Sequence, residues 1–216
     1  MNGISTRARP ALLVVMTTVL GLGCDFEVAD YPSQAELYDK PTPEYKVEHR
    51  QYEGFVLATP SGDSFMAKVG DEGIIGYDMF LGRKVNVGRY RDGTDRALRG
   101  HAFGQWLDLK VEKGRVHGIF NGMSPLDITT TREGDALRVK GLVRGYDADF
   151  VVADKRMVGS FGRCTYDVAG EGGAIYEGVT SCLGRKQKVL IKLPKELSRW
   201  SDAEQGAALG LLLGGR

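Results

Sequence analysis

The stretch Trp106-Leu107-Asp108-Leu109-Lys110-Val111-Glu112 alternates apolar and charged side chains from Leu107 onward, and Lys113-Gly114 follows at once. A period of two places Leu107, Leu109 and Val111 on one face of an extended strand and their charged neighbours on the other. The same period returns in Leu126-Asp127-Ile128-Thr129-Thr130-Thr131 and in Ala136-Leu137-Arg138-Val139-Lys140. Asp149-Phe150-Val151-Val152 and Lys188-Val189-Leu190-Ile191-Lys192-Leu193 are strand-like too. Turn residues separate them at Glu112-Lys113-Gly114-Arg115, Glu133-Gly134-Asp135, Ala153-Asp154-Lys155 and Gly170-Glu171-Gly172-Gly173. Short strands joined by such turns make an antiparallel meander. The expected fold is mainly β, a meander closing into a barrel or sandwich, with one C-terminal α-helix.

A weak repeat runs through the meander. Val116-His117-Gly118-Ile119-Phe120-Asn121-Gly122 resembles Val139-Lys140-Gly141-Leu142-Val143-Arg144-Gly145, and Val158-Gly159-Ser160-Phe161-Gly162 is a shorter version. Tyr52-Glu53-Gly54-Phe55-Val56 and Tyr176-Glu177-Gly178-Val179 share the central glycine. Glycine weakens a strand unless the backbone there bends strongly or another backbone comes close. The repeat therefore reads as a geometric device for coiling the sheet, or alternatively as a glycine-lined barrel mouth that admits a ligand.

The C-terminus has helical period. Ser201-Asp202-Ala203-Glu204 is a capping box. The apolar run after it, closed by Gly214-Gly215, predicts a helix over 201–213. Its Ala and Leu side chains are expected to pack over a barrel end or an open sheet edge.

Composition sets the outer bounds. The chain has 216 residues with 42% hydrophobic and 26% charged, enough for one folded domain or at most two small ones. Its 30 glycines are about twice the usual share. A net charge of +1 argues against a nucleic-acid partner.

The N-terminus is an address. Arg7 and Arg9 precede an apolar run from Ala11 to Leu22, too short for the ~20 apolar residues of a spanning helix. It ends in Leu20-Gly21-Leu22-Gly23-Cys24. This end resembles a bacterial lipoprotein signal peptide, with Gly23 before the cysteine, although Leu20 stands one place earlier than in the usual motif. The resemblance covers residues 1–24. It implies cleavage of residues 1–23, attachment of diacylglycerol and palmitate to Cys24, and a chain anchored in the bacterial cell envelope. An ordinary secretory signal leaving a free thiol is the alternative. Asp25 resembles an inner-membrane retention signal of enteric bacteria, and both membranes stay open as destinations. Cleavage takes Arg7 and Arg9 and no acid, leaving 27 basic against 28 acidic residues. Residues 24–45 hold three prolines and six acids without a clean period after Cys24, the pattern of an extended tether. The β-rich domain is then residues 46–216.

Cys164 and Cys182 are expected to form a disulfide, because an exported chain meets oxidising conditions. Direct opposition requires a hairpin centred on position 173, one of several registers.

Chemistry is sparse. The three histidines are His49, His101 and His117, and no nucleophile elbow, phosphate loop or metal-ligand spacing accompanies them. Neither a metal nor a cofactor is expected. His101 and His117 meeting in space, or Asp147 and Asp149 sharing a face, are the candidates for hydrolysis or Ca²⁺ binding; solvated surface is the simpler reading. Arg83, Lys84, Arg89, Arg91, Arg96 and Arg99 face only Asp92 and Asp95 within residues 83–99. They are the candidate polyanion-binding residues, with Arg185, Lys186 and Lys188 as an extension. The expected function is a non-enzymatic binding or structural module, whose partners are the membrane, through the lipid, and an envelope protein or anionic polysaccharide. The alternatives are a carrier of a small apolar ligand and an envelope hydrolase.

Overall fold

The computed structural model describes residues 47–214, apart from 80, 93, 121–123 and 171–173. The signal peptide 1–23, Cys24, the whole of the tether 24–45 and residue 46 lie outside the described residues. By internal contacts the chain divides into units 1–40 and 41–216, and the second unit holds every strand and helix named below.

A short helix, α1 (Val47–Gln51), precedes fourteen strands. They are β1 (Phe55–Ala58), β2 (Ser64–Gly70), β3 (Gly73–Asp78), β4 (Arg83–Asp92), β5 (Asp95–Ala102), β6 (Gln105–Glu112) and β7 (Arg115–Phe120), then β8 (Ser124–Glu133), β9 (Ala136–Val143), β10 (Tyr146–Ala153), β11 (Arg156–Phe161), β12 (Cys164–Gly170), β13 (Ile175–Cys182) and β14 (Arg185–Lys192). Each pairs antiparallel with the next, and β1 pairs with β14, so the meander closes into a barrel. The chain then makes a 3-10 turn (Lys195–Arg199) and a last helix, α2 (Asp202–Gly214).

The alternation read from sequence decides which side chains fill the barrel. Leu107, Leu109 and Val111 are buried while Trp106, Lys110 and Glu112 are exposed. The same phase puts Ile128, Val139, Phe150 and Val168 inside. Outside, ion pairs link odd strands to the next even one: Arg99 to Asp108, Arg115 to Asp127, Arg138 to Asp149 and Arg156 to Asp167. A wall of charge pairs around an apolar interior is a water-facing surface, the reverse of a barrel that faces lipid with its outer wall.

Glycine repeats with the hairpins, and its role is close approach. A Cβ on Gly118, Gly141, Gly159 or Gly178 would lie 2.1, 2.1, 2.1 or 2.3 Å from the carbonyl oxygen of Asp108, Asp127, Asp149 or Asp167. Gly159 also has φ +128°, a conformation that only glycine adopts readily. The repeat is thus the geometric coiling device.

Helix α2 differs from its expected place. It does not cover an end or an edge; the barrel has no open edge, and α2 runs inside it. Residues Ala203, Glu204 and Gly206 to Leu213 are all buried. A helix buried on every side is apolar all round. Gly206 fits against Thr130, where a Cβ would lie 2.3 Å from the methyl carbon. The capping box is formed: Glu204 accepts from the Ser201 N–H at 2.9 Å, and the Glu204 N–H donates to Ser201 Oγ at 3.4 Å.

The seam between β1 and β14 is held from outside. Val56, Ala58 and Leu190 turn outward yet are fully buried, with Tyr52, Met66 and Ile175 against them. Helix α1 reaches the same place: Arg50 pairs with Glu177, and Lys192 donates to the Arg50 carbonyl at 2.6 Å.

Candidate functional site

The hairpin turns divide between two rims. The turns after even strands form the rim where α2 enters; those after odd strands form the distal rim, where α2 ends at Gly214. Entry is fixed by Trp200, whose indole N–H donates to the Gly70 carbonyl at 3.2 Å. The far end is fixed by Tyr166, whose hydroxyl donates to the Leu213 carbonyl at 2.8 Å.

The two rims differ in charge. Acids and bases are mixed at the entry rim: Asp71, Glu72, Glu112, Glu133, Asp135 and Asp154 sit there with Arg91, Arg96, Lys113, Arg115, Arg132, Lys155 and Arg156. Arg83, Lys84, Arg144, Arg163, Arg185 and Lys186 sit at the distal rim, against Asp63 and Asp147 on the surface there.

The candidate polyanion-binding segment does not form one patch. Arg83 and Lys84 begin β4 at the distal rim. Arg91 and Arg96 oppose each other across β4 and β5 at the entry rim. Arg99 lies on the outer wall, opposed to and paired with Asp108 at 2.9 Å. Arg89 is inside the barrel. Its guanidinium makes two bonds of 2.7 Å to the Glu204 carboxylate and lies 4.6 Å from the Trp200 ring centre. Both side chains are almost fully buried. Burial alone would raise the Glu204 pKa; the bonds from Arg89 and Ser201 outweigh it and hold the pKa at about 2. Arg89 is therefore a lock for α2 and is removed from the surface group. The shared strand had hidden this, since odd positions of β4 face inward.

The distal rim gathers a different set. Ser124, Arg144, Tyr146, Arg163 and Gly214 line a cavity of about 250 Å³. Arg144 is half-buried in the turn Arg144-Gly145, with φ +55° and +79°. Burial first, and then the guanidinium groups of Arg163 and Arg83, push its pKa below the ordinary arginine value. Arg163 lies over the Tyr146 ring, 4.6 Å from its centre, and donates to the Tyr146 hydroxyl. The arrangement offers guanidinium, phenol and hydroxyl donors around one opening, which is chemistry for an anion.

The disulfide fastens this rim. Cys164 and Cys182 are bonded and directly opposed, with Cα atoms 4.1 Å apart, so the hairpin is centred on position 173. The bond follows Arg163 and precedes Leu183, and the Leu183 N–H donates to the Arg163 carbonyl at 3.2 Å.

Of the other candidates, Asp147 and Asp149 share the outer face of β10, and the histidines stay apart. His101 is opposite Trp106 on the outer wall, while His117 is opposite Lys110 and 3.4 Å from Glu112. His49 belongs to α1. Asp149 is engaged by Arg138 at 3.0 Å and by Lys140 at 3.7 Å. The Arg138 hydrogen bond holds its carboxyl below the usual range. Among the described residues no group of three His, Cys, Asp or Glu is placed to hold a metal ion.

Sequence reasoning missed Arg144, Tyr146, Arg163 and Ser124. The signal was parity: Arg144-Gly145 and Gly162-Arg163 are two-residue turns on the same side of the meander. No family model, curated protein or solved structure matches the chain.

Proposed function

We propose that the chain is a lipid-anchored, non-enzymatic binding module of the bacterial envelope that takes an anionic, phosphate- or carboxylate-bearing group at the distal mouth of its barrel. The observation that carries this is the convergence of Arg144 and Arg163 on a polar cavity whose described lining holds no carboxylate, with Arg83 close enough to act on Arg144. Anchoring rests on the lipoprotein-like leader and on Cys24. The carrier alternative needs an apolar cavity, and that space is taken by α2 with Leu209, Leu211, Leu212 and Leu213 buried in it. The hydrolase alternative needs an acid or histidine pair in a cleft, whereas the groups converging here are cationic or neutral donors.

Arg144 gives a clean test. It occupies the first position of a turn with φ above zero at both central residues, where Asn-Gly is preferred. Arg144→Asn therefore removes the charge while keeping the turn. Inorganic phosphate is expected to raise the thermal midpoint of the wild-type protein and to have much less effect on Arg144→Asn. A wild-type midpoint that phosphate leaves unmoved sinks the proposal.

A further inference from the structure

The anion-binding reading leaves open what presents the anion, and two further features of the distal rim bear on it. The rim carries exposed apolar side chains at its turn tips: Met79 at 63%, Leu81 at 42% and Leu183 at 72% exposure. Leu183 is also in an unusual backbone state, with φ +53° in the turn Leu183-Gly184. A branched side chain is disfavoured there relative to Asn or Gly. Phe103 shares that conformation, but it is buried against Phe65, with ring centres 5.1 Å apart. Core packing explains Phe103. No burial explains Leu183, and a strained exposed residue points to a use.

Apolar tips interleaved with arginines suit one kind of surface. The tips enter the boundary between headgroups and acyl chains, and the guanidinium groups meet phosphates at the level above. The entry rim, where acids and bases are mixed, then points away from the bilayer, and the cationic distal rim faces it.

Resting on the anion-binding reading, we infer that the distal rim is a membrane-docking face. Met79, Leu81 and Leu183 are its insertion points, and Arg83, Arg144 and Arg163 are its contacts with the headgroups of anionic phospholipid. The tether is long enough to allow it. From Cys24 to Val47 the chain reaches ~75 Å when extended at ~3.3 Å per residue, so a barrel anchored through its N-terminus can still present the distal rim to the same membrane.

Cosedimentation with vesicles tests this. The core lies within residues 55–213, so a chain starting at residue 25 keeps it and carries no lipid of its own. This chain is expected to sediment with vesicles of phosphatidylglycerol mixed with phosphatidylcholine, and not with phosphatidylcholine alone. About 1 M salt, where the screening length is ~3 Å, should release it. Arg144→Asn should lower partitioning about fivefold, the effect of ~1 kcal/mol per basic residue. Leu183→Asn suits its turn and should lower partitioning about tenfold through lost apolar burial, while leaving the phosphate-induced rise in midpoint intact. Equal binding to both vesicle types overturns the inference. So does absence from both pellets in a protein that phosphate still stabilises, a result that leaves the anion-binding reading standing. Failure of phosphate to stabilise the protein removes both.

Discussion

The same residue type takes two roles in one strand pair, and strand phase selects between them. Arg89 and Arg99 both came from one basic stretch. Arg89 faces inward and meets Glu204; Arg99 faces outward and meets Asp108. An exposed pair such as Arg99–Asp108 contributes little, ~0–1 kcal/mol. The buried pair behaves differently, because removing one partner strands a charge without water. Arg89→Met should cost about 3–5 kcal/mol, whereas Arg89→Met with Glu204→Leu should lie much closer to wild type. Urea unfolding of the three proteins measures this, and a single variant as stable as the double would refute it. The pair also sets a pH dependence. The Glu204 pKa, normally 4.5, is about 2 in the folded protein. The stability it contributes is therefore complete above pH 4.5 and is lost as pH falls toward 2. The double variant should lose less stability across that window than the wild type does.

Helix α2 shows what a sequence reading reaches at the scale of elements. Its bounds and its cap were legible, because Ser201, Glu204 and the closing glycines are local signals. Its place was not. Leucine on all faces says only that the helix is surrounded, and a barrel end or edge would have satisfied the same pattern less completely. The small residues carried the missing information. Gly206 and Gly210 lie four apart and face the wall at Thr130 and at Val143. In an open helix either glycine would gain ~1 kcal/mol from replacement by alanine. Inside the barrel the two positions should diverge. At Gly206 a Cβ meets Thr130 at 2.3 Å, so Gly206→Ala should lose about 2 kcal/mol. At Gly210 the nearest atom is Val143 Cγ2 at 3.3 Å, so Gly210→Ala should be near neutral. Denaturant midpoints distinguish them. Equal effects at both sites would mean that α2 shifts freely within the barrel.

Closure, the charge difference between the rims and the cavity at the distal mouth all belong to the whole molecule, and this is where the sequence was least legible. A period of two reports faces within a strand but not which strand meets the first one. The partnership of β1 with β14 joins residues more than a hundred apart, and nothing local marks it. The rims follow from strand parity, which requires every turn to be placed, including the weakly marked ones at Arg144-Gly145 and Leu183-Gly184. The disulfide joins these scales. As a cross-link across a separation of 18 residues it is worth about 3 kcal/mol in the chain-entropy model. It lies within one hairpin, away from the seam where α1 braces β1 against β14. Reduction should therefore lower the urea midpoint by an amount equivalent to about 3 kcal/mol without abolishing the β-sheet circular dichroism. The local consequence should be sharper than the global one. Arg163 and Leu183 flank the two cysteines, and the bond between them holds the turns that carry both. The reduced protein should remain folded at moderate temperature yet show a weaker phosphate-induced rise in its thermal midpoint. If reduction instead unfolds the barrel outright, the bond serves closure of the sheet rather than the shape of the distal mouth. If the phosphate response is unchanged in the reduced protein, Arg163 is positioned by Tyr146 alone.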